Sequence, residues 1–142
     1  MSVQRAAPFS IRLPRALDDR VSAWARRSRR SKAAVIKQLV DEAERCWRYP
    51  GIVFRGEDQH RRAWIVGSAF DVWELIWTLN DLKGDANSVA SQYNVDKSQI
   101  RLALAYYGEF PEEIDELIAW NRRPLSAWQA EYPLIESVVI ED

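Results

Sequence analysis

The chain has 142 residues, 47% hydrophobic and 29% charged, with a formal net charge of -1 and one cysteine. That length holds one ordinary domain or two small ones with enough apolar side chains for a core. No window reaches the roughly 18 apolar residues of a membrane span, and the N-terminus lacks the pattern of a secretion signal, so a cytoplasmic protein without membrane partners is expected. Cys46 has no second cysteine for a disulfide or a shared zinc, and is expected as a packed or partly exposed thiol.

The small net charge hides a strong asymmetry. A Pro-Gly mark in "RYPG" cuts the chain after Tyr49. Residues 1 to 49 hold 12 Lys/Arg against 5 Asp/Glu, a net of +7, and residues 50 to 142 hold 8 against 16, a net of -8. A basic module that meets a polyanion, joined to an acidic module that does not, fits that split. The expected organisation is a DNA-binding and dimerisation domain at 1–49, a helical domain at 50–123 and a tail at 124–142.

In chain order, "PFSIRLP" at 8 to 14 alternates Phe9, Ile11 and Leu13 with Ser10 and Arg12, the pattern of a short strand. Pro14 then opens a helix through "RALDDRVSAWARRS", with Leu17, Val21, Trp24 and Ala25 at helical spacing. After "SRRS", Ser31 can cap a second helix whose stripe is Val35, Ile36, Leu39, Val40 and Ala43. Residues 52 to 55 and 63 to 66 read as a hairpin around Gly56. Asp71 starts a helix with Val72, Leu75, Ile76 and Leu79 on one face, ending at Gly84. A short helix in "ANSVASQYN" precedes one from Asp96 with Ile100, Leu104 and Tyr107 inward, and Pro111 opens another to near Asn121. The remainder, with Leu134, Ile135, Val138, Val139 and Ile140, reads as a tail with a β-prone end.

One strand leaves backbone groups unpaired on both edges, and a helix pair of under 50 residues buries too little to fold alone. A second copy answers both needs. With Phe9, Ile11 and Leu13 packed on four helices, two strands would pair antiparallel and present Ser10 and Arg12 on one wet face. Such a ribbon fits the major groove of B-form DNA, where Arg pairs with guanine. Residues 8 to 46 thus resemble the ribbon-helix-helix family of dimeric repressors (the MetJ/Arc/CopG type). The resemblance implies base contacts by Pro8, Ser10 and Arg12, and phosphate held at the start of the second helix by Ser31 and Lys32, which also suits helix-terminus electrostatics. Arg26, Arg27, Arg29 and Arg30 extend the phosphate-facing cluster. The family's turn glycine is replaced by Arg29, which must go left-handed at a cost or alter the turn.

Residues 86 to 107 have a helix-turn-helix outline. However, 85 to 107 carry two acidic and two basic side chains, a net of zero, and acids follow, so packing or protein recognition is expected there instead of DNA contact. The strings "RRAWIVGSAFDVWELIWTLND" and "VDKSQIRLALAYYGEFPEEIDELI" resemble a small helical domain of uncharacterised function in bacterial antitoxins, often paired with PIN-like nuclease toxins. Gly67 and Ser68 stand where that domain has Gly-Thr.

The expected fold class is mainly α with short β: an N-terminal ribbon-helix-helix in an intertwined dimer, then a helical domain with a β-hairpin and a helix-turn-helix-like core. Together the resemblances imply a transcriptional repressor and type II antitoxin that binds operator DNA and captures a cognate toxin. Trp120, Trp128, Tyr132, Leu134 and Ile135 are the candidate toxin-facing anchors, since aromatic anchors dominate protein interfaces. Trp64, Trp73 and Trp77 are expected in the core. A repressor without a toxin, its second domain sensing a ligand or setting oligomerisation, and an assembly module whose ribbon only dimerises remain as alternatives. His60 is the one histidine, in a polar loop with no nucleophile at motif spacing, and no phosphate loop, dinucleotide fingerprint or zinc pattern occurs. Neither catalysis, a metal nor a cofactor is expected.

Overall fold

The computed structural model describes residues 5 to 134, and the chain divides into two compact units, Met1–Glu44 and Arg45–Asp142. The described residues are mainly helical, with one small antiparallel sheet.

In the first unit, Pro14 accepts the Leu17 and Asp18 backbone N–H groups at 3.0 and 2.9 Å and so starts α1 (Arg15–Ser28). Ser31 Oγ accepts the Ala34 N–H at 3.1 Å and caps α2 (Lys32–Arg48), as its residue type favours. Val21, Ala25 and Val35 form the buried core, with Trp24, Ile36 and Leu39 packed against it. The expected stripe is therefore narrower than its sequence: Val40 is 63% exposed, Ala43 is exposed and Leu17 is only partly covered. One helix neighbour covers about one row of side chains, and the flanks of each stripe stay open. At the turn Arg29 takes φ 55° and ψ 39°, the left-handed one of the two outcomes open from sequence. Its N–H and that of Arg30 close the helix end on Arg26 and Ala25 carbonyls at 3.2 and 2.9 Å. For a residue with a Cβ that conformation costs about 1–2 kcal/mol.

Residues 5 to 14 form no strand within the chain. Backbone pairing needs a neighbour, and none of the described residues supplies one to residues 8 to 13.

In the second unit, β1 (Ile52–Arg55) pairs antiparallel with β2 (Arg62–Ile65), Ile52 opposite Ile65 and Arg55 opposite Arg62. Strand β2 thus lies one residue earlier than the 63 to 66 pattern suggests, and Val66 is left 46% exposed, its N–H donating to the Gly51 carbonyl. The loop between the strands requires Gly56: its φ is 105°, and a Cβ there would lie 2.4 Å from the His60 carbonyl oxygen.

Helix α3 (Val72–Asp81) is the centre of the unit, burying Val72, Trp73, Leu75, Ile76 and Leu79. It packs against β2, α4 (Ala86–Tyr93), α5 (Lys97–Glu109) and α6 (Pro111–Asn121). Its start is a capping box of Asp71 and Glu74; α4 and α5 are capped by Asp85 and Asp96. On α5 the inward row is Ile100, Ala103 and Tyr106, which corrects the expected Leu104 and Tyr107. Leu104 is 43% exposed, and the Tyr107 hydroxyl donates to Asp115 at the surface, while the Tyr106 hydroxyl has partly buried partners.

The expected tail contains a further helix, α7 (Leu125–Glu131), started by the Pro124 carbonyl, which accepts from Ala127 and Trp128. Ile135, Val138, Val139 and Ile140 lie outside the described residues.

Candidate functional site

The candidate base-contacting residues Pro8, Ser10 and Arg12 are all exposed, and so are Phe9 at 86% and Ile11 at 67%. Both faces of the alternating segment are open, and Leu13 alone is half-covered. Arg26, Arg27, Arg29, Ser31 and Lys32 are exposed, but Arg30 is half-buried and its guanidinium donates to Gln38. Lys32 pairs with Asp18 at 2.5 Å. Exposed pairs of this kind contribute only about 0–1 kcal/mol, so the ammonium can exchange its partner for a phosphate. Because Ser31 satisfies Ala34, the backbone N–H groups of Lys32 and Ala33 have no acceptor among the described residues. Two free donors, an ammonium and the positive end of a helix of 17 residues thus coincide.

On the second unit the candidate anchors converge. Trp120 of α6 meets Trp128 of α7 edge to face, centroids 5.1 Å apart, and Trp128 stacks on Tyr132 at 6.2 Å. The Arg123 guanidinium lies 4.3 Å from the Trp120 ring centroid and 4.5 Å from that of Trp128, and pairs with Glu131 at 2.5 Å. Trp120 and Tyr132 are about half-exposed, Trp128 is half-buried and Leu134 is 95% exposed. Sequence reasoning named the aromatics and missed Arg123; the signal was its place three residues after Trp120, before the proline that turns the chain.

Two other clusters were not foreseen. Arg45 donates to Glu113 at 2.6 Å and to the Tyr106 hydroxyl at 2.8 Å, Tyr106 donates to Glu113 at 2.8 Å, and the guanidinium lies 3.9 Å from the Phe110 centroid. Burial first, then the Glu113 charge beside it, pushes the Tyr106 phenol above its usual range. Burial works against the Arg45 charge, and the hydrogen bonds to Glu113 and Tyr106 outweigh it. That network is a neutralised clamp holding α5 and α6 to the chain entering the unit. The second cluster is Asp71, 3% exposed, between the Nε atoms of Arg55 and Arg62 at 2.6 and 2.8 Å.

The helix-turn-helix outline is formed by α4 and α5 around Asn94, at φ 52° and ψ 47°. Its exposed cations are Lys97 and Arg101. His60 is exposed in a short 3-10 turn, Asp58–His60. Among the described residues no cluster of three or more His, Cys, Asp or Glu is placed to hold a metal ion, and no helix is long and apolar enough to cross a membrane. No protein-family model matches the chain, and neither a curated protein nor a solved structure is significantly similar to it.

Proposed function

We propose that the chain is a homodimeric DNA-binding repressor of the ribbon-helix-helix kind, and the antitoxin of a toxin-antitoxin pair. The observation that carries the first part is the mismatch within the first unit between what is apolar and what is buried. Its core is Val21, Ala25 and Val35, while Phe9, Ile11 and Val40 are open on a segment and a helix that need a neighbour. A second copy of the segment would pair both strands and cover those side chains. The polar residues of the ribbon, Ser10 and Arg12, would then enter the major groove, with Arg26, Arg27, Arg29 and the α2 N-terminus at the phosphates.

Arg12→Ala is expected to weaken binding to the chain's own promoter DNA by roughly 1–3 kcal/mol, about 5- to 150-fold, with the dimer intact. Gel-shift titration beside light scattering checks this, and an unchanged affinity would remove Arg12 from the base-reading role.

Toxin capture falls to the exposed cluster of Trp120, Arg123, Trp128, Tyr132 and Leu134, the residue types that dominate protein interfaces. Co-expression with each adjacent reading frame and purification through a tag on this chain should bring down a stoichiometric small protein, toxic when expressed alone. Recovery of the chain alone, still shifting its promoter, would leave a plain repressor.

A further inference from the structure

The second unit has a cleft of about 420 Å³ beside the hairpin, within the size range of small-molecule sites. Its lining combines cations with apolar and ring surface: Arg55, Arg61 and Arg62 together with Trp73, Leu117 and Trp120. Two carboxylates also line it, and both are already committed. Asp71 accepts one guanidinium N–H from each of Arg55 and Arg62, and Glu74 accepts the Asp71 backbone N–H at 2.8 Å. Arg55 and Arg62 thus share the single carboxylate of Asp71.

Specific donors are left over. Arg55 uses Nε on Asp71 and Nη2 on the Ala69 carbonyl, and Arg62 uses Nε on Asp71 and Nη1 on the His60 carbonyl. Nη1 of Arg55 and Nη2 of Arg62 therefore have no acceptor among the described residues. Arg61 is anchored on the Gly56 and Phe54 carbonyls at 3.1 and 3.0 Å, which fixes the loop that carries it. Trp73 is 9% exposed, and its Nε1 is buried with no hydrogen-bond partner. A buried donor without an acceptor is rare because it forfeits its hydration.

We infer that this cleft binds a small organic anion, a carboxylate or phosphate carried on a flat apolar body. The anionic group sits at the free guanidinium N–H groups of Arg55 and Arg62, where charge-assisted hydrogen bonds orient it. The flat body lies against Trp73, Leu117 and the half-exposed ring of Trp120. The inference uses no group of the proposed DNA-binding unit; it shares Trp120 with the proposed toxin-facing cluster, and its test needs neither DNA nor a toxin.

The test is to titrate the 15N-labelled full chain with benzoate and with phenyl phosphate, and to follow the indole N–H signals by NMR. Benzamide and inorganic phosphate serve as the matched neutral and bodiless probes. Saturable shifts of the Trp73 and Trp120 signals with at least one organic anion, and much smaller ones with both controls, are expected. Arg62→Gln should weaken binding about 10-fold or more. Trp120→Ala, at a half-exposed position, should weaken it also and decides the matter if Arg62→Gln does not fold. No saturable shift up to about 10 mM, weaker than millimolar binding, overturns the inference. So do equal shifts from benzamide or inorganic phosphate, or undiminished affinity in the folded variants.

Discussion

Replacing Asp71 by alanine is expected to destabilise the second unit by about 3 kcal/mol, the largest loss from any single polar side chain there. Two contributions converge on one carboxylate. Asp71 caps α3, the helix that β2, α4, α5 and α6 pack against, and loss of such a cap costs about 1 kcal/mol. Its backbone bridges to Trp64 of β2, so cap and sheet share one residue. Most of the rest comes from register: Arg55 and Arg62 stand directly opposite each other across the two strands, and like charges so placed repel. Only the buried carboxylate between them makes that pairing favourable. Asp71→Asn keeps a good capping residue and loses the charge, so it should fall between wild type and alanine. Urea denaturation followed by tryptophan fluorescence measures all three proteins. A loss under about 1 kcal/mol for the alanine variant would reduce the clamp to the standing of an exposed ion pair.

How far the sequence revealed this fold depends on whether a local signal or a distant partner decided each feature. Asp71, Asp96 and Pro111 mark helix starts by their own chemistry, and all three act there. The row Leu104 and Tyr107 failed because α5 offers apolar side chains on more than one face. The choice of Tyr106 over Tyr107 was made by Arg45 and Glu113, 61 residues before it and 7 after. Helix α7 was missed for a related reason: two prolines nearby resemble a tail, while the helix is fixed by Trp128 docking on Trp120 and Arg123. In the candidate site, exposure of Ser10 and Arg12 and the cap at Ser31 were legible from residue type. The Asp71 clamp was not, since it needs the strand register, and Arg123 between two indoles needs the turn at Pro124. Hydrophobic alternation at 8 to 14 signals a strand but carries no information on which chain supplies its neighbour.

That last point makes position 11 the sharpest place to test the proposed dimer. Ile11→Asp is expected to convert the chain to a monomer at micromolar concentration and to reduce promoter binding by more than about 100-fold. In the single chain Ile11 is 67% exposed, so an aspartate there disturbs no packing within the unit. In a paired ribbon the same side chain would be buried in both copies. Burying each isoleucine contributes about 1.5–3 kcal/mol, and placing an unpaired carboxylate in that core costs several more, incurred twice by symmetry. Ser10→Ala, one residue earlier and on the opposite face of the alternation, should leave the dimer unchanged and affect only DNA affinity. Sedimentation of the two variants separates the faces. If Ile11→Asp still sediments as a dimer, the copies associate through some other surface, and the ribbon cannot be what holds Ser10 and Arg12 in a groove.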